Sequence, residues 1–363
     1  MKIENLKLKN YRNYENISID FSSTLNLIYG NNGSGKSNLV EAIYLLALTK
    51  SFRTNTDHTL IRKGSESTNI KGTIISREEK SCYQVEISNN GKKAFIDNDK
   101  VDRISDYVSK INIVEFNPLD SKIISDSPAV RRKLINIEIS QLDKEYLLLL
   151  NAYEKVLKHR NAYLKQLYLN GNASTEYLDI LTKKLAEFGL KIHKTRTCFI
   201  EEINDNISKI YKNIFESGQL IVRYTSSYKD KTLEEIMEMY RKNYRKEMNL
   251  GKTLIGIHHD DIDFILDDNN IKEYGSVGQQ KNAIISFKLS ELLIFKRIKG
   301  EYPILILDDL FSELDNIKIN NIISMLNKEI QTFITTTQIN NIDQNLLENS
   351  TIFKVTNGSI ERK

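Results

Sequence analysis

One run of small residues near the start of the chain has the spacing of a phosphate-binding loop. Small residues let successive backbone N–H groups close around phosphate oxygens, and the start of the following helix adds positive charge. Lys36 is placed to contact a β- or γ-phosphate, and the Ser37 hydroxyl is placed to hold Mg²⁺. An apolar strand before the run and an amphipathic helix after it favour this interpretation over a Gly-rich turn with an incidental lysine. The run is Gly30-Asn31-Asn32-Gly33-Ser34-Gly35-Lys36-Ser37.

A second candidate lies at the end of a short apolar segment, residues 304–307, which two carboxylates follow. Asp308 is suited to bind Mg²⁺, directly or through water, and Asp309 follows at the position of a base or water-positioning residue. Strands often end in acids, so the signal is weak alone, but the phosphate loop and the following Ser312-Glu313-Leu314-Asp315 strengthen it. Lys36 and Asp308 are 272 residues apart (positions 36 and 308). The intervening chain must therefore leave the nucleotide-binding domain and return.

A third candidate is the loop Gly275-Ser276-Val277-Gly278-Gln279-Gln280, which precedes an apolar helical pattern. It resembles the signature motif of ABC-type ATPases, a Ser-x-Gly-Gln loop that opens a helix. Taken alone, the same residues form an ordinary Gly-containing helix cap. The resemblance implies that the loop contacts the γ-phosphate bound by the P-loop of a partner subunit, so Ser276, Gly278 and Gln279 are expected nucleotide contacts.

Hydrophobic periodicity places these motifs on an α/β framework. The first third alternates as strands do, with one helix directly after the phosphate loop. From about residue 129 to 215 the apolar period becomes 3.6, and a polar break at 170–175 predicts two long helices in an antiparallel hairpin. The last third returns to alternating strands and helices. We expect one ATPase lobe formed by residues 1–128 and 270–363, interrupted by a mainly helical insertion at 129–269.

Composition and charge narrow the class of protein. At about 150 residues per domain, 363 residues predict two domains. The 52 Lys and Arg against 48 Asp and Glu give a net charge of +4, which excludes a chain-wide polycation but allows a local basic surface. Two cysteines without a CxxC unit favour a reducing compartment. Without an apolar signal segment or a run of about 20 apolar residues, we expect a soluble cytoplasmic protein with no membrane partner.

Several further stretches resemble the RecF family of bacterial recombination mediators, which are related to the heads of Rad50 and SMC proteins. The match keeps the family's order over essentially the whole chain. It implies an α/β fold, an ABC-type P-loop ATPase head with a mainly helical inserted second domain, with ATP and Mg²⁺ as cofactors and Arg12 as a nucleotide contact. The stretches are Leu8-Lys9-Asn10-Tyr11-Arg12-Asn13-Tyr14, Lys50-Ser51-Phe52-Arg53-Thr54, Asn117-Pro118-Leu119-Asp120 with Pro128, Arg131 and Arg132, Gly256-Ile257-His258-His259-Asp260-Asp261, and Thr335-Thr336-Thr337.

The same resemblance implies an ATP-driven cycle on DNA. Two subunits would sandwich two ATP molecules between the P-loop of one and the Ser276 loop of the other. Weak ATP hydrolysis, with Lys36 and Asp309 as catalytic residues, would reverse this homodimerisation and release DNA. The implied target is a single-strand gap or a double-strand/single-strand junction. There the protein would assist RecO and RecR in loading RecA and support SOS induction.

A few positions depart from the family's pattern. Ile257 and His259 stand where the family usually has Pro and Arg, and Asp126 stands at a usual Gly. Gln338 follows the threonine run, where many ABC-type ATPases have a switch His. A γ-phosphate sensor of the His type is therefore not assigned.

Three charged stretches have both a functional and a structural interpretation. Residues 258–263 offer metal ligands, but adjacent histidines on a strand point to opposite faces, which favours a polar strand. Residues 240–246 are basic with interleaved Tyr, and either bind nucleic-acid phosphates or form a solvated helix face. Arg131-Arg132-Lys133 is ambiguous in the same way. Between residues 131 and 215, bases outnumber acids 15 to 10, so the insertion is modestly positive.

Two other functions use a P-loop. An ABC-type transport or drug-resistance ATPase would couple to a membrane partner, but such a subunit keeps its two nucleotide motifs much closer together and has no long helical insertion. A kinase would need an acceptor site, which the sequence does not display, and the Ser276 loop argues against it.

Overall fold

A computed structural model describes residues 1–169, 174–215, 218–312, 314–326, 328–337, 339 and 344–363. The chain divides into two units. Unit 1 comprises Met1–Asp120, Ile210–Ser217 and Ile285–Lys363, and unit 2 comprises Ser121–Lys209 and Gly218–Ile284. This division differs from the expected insertion at 129–269 at both ends. In particular, the Ser276 loop belongs to unit 2, whereas the phosphate loop belongs to unit 1.

The described elements follow the chain as an α/β part, a helical part and a second α/β part. The first part contains β1 (Lys2–Tyr11), β2 (Tyr14–Asp20), β3 (Leu25–Tyr29), α1 (Lys36–Leu48), β4 (Ser67–Ser76), β5 (Glu79–Ser88), β6 (Gly91–Ile96), β7 (Asp99–Lys100), α2 (Ile104–Val108) and β8 (Ile113–Phe116). The helical part contains α3 (Lys122–Ser125), α4 (Pro128–Leu142), α5 (Lys144–Leu169), α6 (Thr175–Phe215), β9 (Leu220–Thr225), α7 (Leu233–Leu250), β10 (Asp261–Leu266), β11 (Asn269–Asn270) and α8 (Ile271–Tyr274). The last part contains α9 (Val277–Lys299), β12 (Ile304–Asp308), α10 (Asn316–Met325), β13 (Thr332–Thr336), α11 (Gln344–Glu348), β14 (Ser350–Thr356) and β15 (Ser359–Arg362). Within the described ranges, no helix has the length and apolar character that a membrane span requires.

A six-stranded sheet in unit 1 brings distant motifs to one edge. Its order is β15-β14-β3-β13-β12-β8, and all neighbours are parallel except β14 and β15. Strands β12 and β13 are buried along their whole length, as strands covered on both faces must be. On β13, Thr335 pairs with Ile28 of β3 on one side and with Asp308 of β12 on the other. Because parallel strands end at the same edge, the phosphate loop after β3 meets the acids that end β12.

The second sheet of unit 1 is antiparallel, with the order β2-β1-β4-β5-β6-β7. Leu6 and Leu8 of β1 are buried while Lys7 and Lys9 are exposed, which is the alternation that predicted these strands. Helix α1 contacts β4 and β5 of this sheet and β13 of the parallel sheet. It is therefore buried along most of its length, and the phosphate loop is fixed to a rigid element.

Unit 2 contains the predicted long helices, α5 and α6. Arg160 of α5 bonds Thr182 of α6, whereas the earlier Tyr146 bonds the later Arg196, so the two helices run in opposite directions. Their connection includes residues 170–173, which lie outside the described residues. A three-stranded antiparallel sheet, ordered β11-β10-β9, completes this unit.

Three buried arginines hold the elements of unit 2 together. Arg196 donates to Asp260 Oδ2 at 2.8 Å, Arg160 to Glu247 Oε2 at 2.7 Å, and Arg131 to both carboxylate oxygens of Asp261 at 2.7 and 2.8 Å. Each side chain is at most 2% exposed, and a buried charge needs such a partner. These bonds favour the structural interpretation of Arg131 over a contact with nucleic acid. The hydrogen-bond donors of its guanidinium are used by partners inside unit 2.

Short elements at both edges extend unit 2 beyond the expected boundaries. Arg131 Nη1 also donates to the carbonyls of Ile123 and Ile124 in α3, which ties residues before 129 to α4. At the other end, Asn270 Nδ2 donates to Asp263 Oδ1 at 3.3 Å and anchors the start of α8 to β10. Hydrophobic periodicity does not detect such polar anchors, because neither segment is long enough to show a period.

His258 and His259 lie in a short 3-10 turn, Ile257–His259, and not on a strand. Both Nε2 atoms contact the Thr253 carbonyl, at 3.2 and 3.1 Å, while His258 Nδ1 is 2.7 Å from the Tyr153 hydroxyl. The Tyr153 hydroxyl donates to Nδ1 when His258 Nε2 carries the proton, so both ring nitrogens are satisfied in the neutral form. Burial lowers the pKa of His258 to about 4, with the nearby His259 acting in the same direction.

We predict that His258 makes the stability of the protein depend on pH. The folded pKa lies below the unfolded value of about 6.5, so its contribution is complete above pH 6.5 and is lost as the pH falls towards 4. The free energy of unfolding in urea is compared between the wild type and His258→Gln. The contributions of the other titrating groups are common to both proteins and cancel in the difference. The difference in unfolding free energy should shrink by about 3 kcal/mol between pH 7.5 and pH 4. A difference that is constant over this range would contradict the assignment.

Candidate functional site

The loop between β3 and α1 has the backbone of a phosphate cradle. Gly33 and Gly35 have φ of 77° and 121°, which side chains rarely adopt. A Cβ on Gly30 would lie 2.3 Å from the Val355 carbonyl oxygen, and one on Gly35 would lie 2.6 Å from Asn13 Nδ2. Glycine is therefore required by packing against backbone at Gly30 and by conformation at Gly33 and Gly35. Helix α1 starts directly after the loop, so its first N–H groups are available to an anion.

Lys36 lies over the loop that precedes it. Its Nζ donates to the carbonyls of Gly30 and Asn31 at 2.7 and 3.0 Å. Burial lowers the pKa of Lys36, while Asp309 and Asp308 act in the opposite direction. An ammonium that donates to neutral carbonyls is suited to exchange them for charged phosphate oxygens, which are stronger acceptors.

Ser37 and Asp308 meet although they lie in distant parts of the sequence. Ser37 Oγ donates to Asp308 Oδ1 at 2.9 Å, and Thr335 Oγ1 donates to the same oxygen at 2.6 Å. Asp308 is 4% exposed, and burial raises its pKa while the hydrogen bonds from Thr335 and Ser37 oppose that shift. The structure thus brings together the two residues that the sequence predicts for Mg²⁺.

Asp309 follows at the carboxyl end of β12, where the chain turns sharply. Its φ is 53°, an uncommon conformation for a residue other than glycine and one often found at functional sites. Its backbone N–H donates to Thr335 Oγ1 at 2.9 Å, so one threonine hydroxyl fixes both acids. In the sequence, Thr335 stands out only within the run Thr335-Thr336-Thr337, with no role of its own. Its signal is a threonine at the end of the strand next to the acidic one.

Arg12 forms an ion pair with an acid of helix α1. Its Nε and Nη2 donate to the two carboxylate oxygens of Glu41 at 3.0 and 2.7 Å, and its Nη1 donates to the Thr59 carbonyl at 3.1 Å. Glu41 is fully buried in α1 and needs a cation, which Arg12 supplies. This ion pair attaches the turn after β1 to α1, and the nucleotide contact of Arg12 stays a prediction.

The Ser276 loop forms the first turn of α9 in unit 2. Gln279 Oε1 accepts from the Ser276 N–H at 2.8 Å, and Ser276 Oγ accepts from the Gln279 N–H at 3.2 Å, which is a reciprocal capping box. The Gln279 side chain thus serves the helix start. The Ser276 hydroxyl keeps its own hydrogen for an external acceptor, and Ser276 and Gly278 are exposed.

The residues of the loop and of β12 fit a magnesium nucleotide. Ser34 Oγ is buried and has no hydrogen-bond partner within the described part of the chain, which leaves a donor for a phosphate oxygen. Ser37 and Asp308 present a hydroxyl and a carboxylate oxygen side by side, and oxygen donors of this kind are what Mg²⁺ prefers. Over the described residues, no group of three or more His, Cys, Asp and Glu side chains is arranged to hold a metal. Gln338 and Glu313 lie outside the described residues.

Two parallel-sheet motifs, a phosphate loop and an acidic strand end, define an ATPase head of the ABC type with an inserted helical region. The family model described as "RecF/RecN/SMC N terminal domain" matches residues 2–361. The chain therefore belongs to the RecF/RecN/SMC N-terminal domain family, and within it to the RecF proteins.

Curated relatives and solved structures agree with this family. "DNA replication and repair protein RecF" of Enterococcus faecalis is 38% identical over 371 residues, covering 100% of this chain and 99% of that protein. The protein of the same name from Latilactobacillus sakei is 36% identical, covering 99% and 98%. A structure of the "recombination mediator protein RecF-ATP in RecFOR pathway" is similar with a TM-score of 0.92, 30% identity and coverage of 99% and 97%. An Smc head, at a TM-score of 0.59 and 16% identity, shares the fold over 100% of this chain and 97% of its own.

We predict that Asp308→Asn removes the effect of Mg²⁺ on ATP affinity. The amide keeps the size of the side chain and still accepts from Ser37, but it lacks the charge that holds a divalent cation. In the wild type, EDTA should weaken ATP binding about tenfold or more, or about 1.4 kcal/mol, by calorimetry. The variant should bind ATP equally with and without EDTA. The control Asp99→Asn changes an exposed acid of the same unit and should behave as the wild type. A variant that keeps the full Mg²⁺ effect would remove Asp308 from the metal site.

Proposed function

We propose that the protein is a weak ATPase that binds DNA in recombinational repair and dimerises on ATP. The observation that carries the ATPase part is the Ser37–Asp308 hydrogen bond of 2.9 Å, which joins the phosphate loop to the acidic strand end. The relatives' names, which mention DNA replication and repair and the RecFOR pathway, support the DNA part. We infer binding at single-strand gaps or double-strand/single-strand junctions in the cytoplasm, with RecO and RecR as partners, RecA loading as the outcome and SOS induction as its consequence.

Each residue of the site has a separate task in this cycle. The N–H groups of the loop and of α1 bind the β-phosphate, and Lys36 leaves the carbonyls of Gly30 and Asn31 for the β- and γ-phosphate oxygens. Ser37 and Asp308 would hold Mg²⁺, which when bound would neutralise phosphate charge. Asp309 accepts the proton of the attacking water, and Thr335 holds its backbone in place.

Pairing of two protomers depends on the Ser276 loop. The loop exposes a hydroxyl at Ser276 and a backbone N–H at Gly278, at the positive end of the 23-residue helix α9. These donors suit the γ-phosphate held by a second copy of the chain. When hydrolysis removes that phosphate, the donors lose their acceptor, so the dimer dissociates and DNA is released.

Sedimentation with and without ATP·Mg²⁺ tests this function, and Asp309→Asn makes the test sharper. We expect a monomer without nucleotide and a dimer with ATP. The Asn side chain cannot accept the proton of water, so hydrolysis should slow by about a hundredfold or more and the variant should remain dimeric. A wild type that binds ATP but stays monomeric would contradict the sandwich. Unchanged turnover in the variant would remove Asp309 from its role.

DNA binding separates this function from that of an ABC-type transport ATPase. Lys36 and Asp308 are 272 residues apart, whereas a transport subunit would keep its two nucleotide motifs far closer. The RecF protein of Enterococcus faecalis, by contrast, aligns with 100% of this chain. A gel shift with gapped DNA, in the presence of ATP, should give a complex for this protein. If no complex forms at low salt while ATP is bound, the repair function fails and the transport alternative gains support.

The exposed bases of α7 are the proposed contacts to the DNA backbone. Arg241, Lys242, Arg245 and Lys246 are exposed, whereas Tyr240 is buried under the Arg160 guanidinium and cannot stack on a base. Replacing all four by Gln should weaken binding to every DNA sequence alike and should reduce the slope of log affinity against log salt by about 3. The control Lys80→Gln removes an exposed charge of unit 1 and should leave the slope unchanged. An unchanged slope in the fourfold variant would mean that this helix face is only solvated.

A further inference from the structure

The carbonyl groups of the phosphate loop need donors that the nucleotide cannot supply. If the N–H groups of the loop face phosphate, the C=O groups face away and must find donors in the surrounding protein. The Gly35 carbonyl accepts from the Tyr14 hydroxyl at 2.9 Å. The Ser34 carbonyl accepts from Asn13 Nδ2 at 2.9 Å and from the Gly358 N–H at 3.2 Å. Two hairpin turns, β1–β2 and β14–β15, therefore hold the loop from outside.

The Asn13 amide has a fixed orientation. Its Oδ1 accepts from Asn38 Nδ2 at 2.8 Å, and Asn38 Oδ1 in turn accepts from Arg53 Nη1 at 2.7 Å. Arg53 has donors only, so it sets which end of the Asn38 amide faces it, and Asn38 then sets Asn13. A flipped Asn13 would place its oxygen against the Ser34 carbonyl. The chain of bonds thus leaves Nδ2 as the only end that points at the loop.

We propose that Asn13 is a positioning residue for nucleotide binding, which aims the Ser34–Gly35 peptide at the phosphates. In a trans peptide the C=O and the following N–H point in opposite directions. Holding the Ser34 oxygen outward therefore turns the Gly35 N–H inward, to the side where the β-phosphate binds. This inference rests on the proposed binding of ATP and adds a residue outside the phosphate-loop motif to it.

Close packing supports the role of Asn13. A Cβ on Gly35 would lie 2.6 Å from Asn13 Nδ2, and a Cβ on Gly358 would lie 2.5 Å from the Asn13 backbone oxygen. The turn that carries Asn13 is thus enclosed between the loop and the β14–β15 turn, where only glycines allow this approach. The amide has little freedom to move away from the Ser34 carbonyl.

The test compares Asn13→Ala and Asn13→Asp with the wild type by calorimetry with ADP and with ATP. Loop N–H groups bind the phosphates that both nucleotides share, so Asn13→Ala should weaken both about tenfold and to the same extent. Asn13→Asp should weaken both further, because a carboxylate oxygen would face the Ser34 carbonyl while still accepting from Asn38. In steady-state hydrolysis, KM for ATP should rise about tenfold and kcat should change less than about twofold.

Two further variants separate positioning from folding. Asn16→Ala changes an exposed amide of the same hairpin and should bind ADP as the wild type does. Asn38→Ala frees the Asn13 amide without touching the loop and should cause a smaller loss, again equal for ADP and ATP. If folded Asn13 and Asn38 variants bind ADP as tightly as the wild type, or if Asn16→Ala loses as much, the proposal is overturned. A wild type that binds neither nucleotide would instead overturn the proposed ATPase function.

Discussion

Parallel strands present their carboxyl ends at one sheet edge, and this constraint joins residues that are 271 positions apart in the chain. The phosphate loop follows β3, Asp308 ends β12, and Thr335 lies on β13 between these two strands. The Thr335 hydroxyl donates to the Asp308 carboxylate and accepts from the Asp309 backbone, so both acids depend on it. The site therefore exists only when both ends of the chain have folded into the same sheet.

Away from the nucleotide site, buried ion pairs also attach separate elements of the fold to one another. In unit 1, Arg12 neutralises the fully buried Glu41 and so attaches the first strand to the helix that follows the phosphate loop. In unit 2, Arg160 and Arg196 neutralise acids from other elements of that unit. Removing one member of such a pair leaves a charge without a partner and costs about 3–5 kcal/mol. Some arginine side chains that could contact a ligand are thus already used in ion pairs that stabilise the fold.

The motifs and the strand alternation predicted the fold class because they depend on local spacing. The phosphate loop, the acidic end of β12 and the long helices α5 and α6 are all visible as short patterns. The roles of Asn13 and Thr335 are not visible, since each depends on a partner far away in the chain. The ion pairs of Arg12 and Arg131 are invisible for the same reason, because a guanidinium looks alike in sequence whether it contacts phosphate or a buried carboxylate. The boundaries of unit 2 depend on single polar contacts, and these leave no periodic pattern in the sequence.

The central claim is that nucleotide controls when this protein holds DNA. The most direct measurement is the affinity of the wild type and Lys36→Met for a gapped duplex, by fluorescence anisotropy, with ATP, with ADP and without nucleotide. We expect tight binding only for the wild type with ATP, because in the proposed cycle Lys36 contacts the γ-phosphate that a second protomer must also contact. Equal affinity of the wild type in all three conditions would contradict the account.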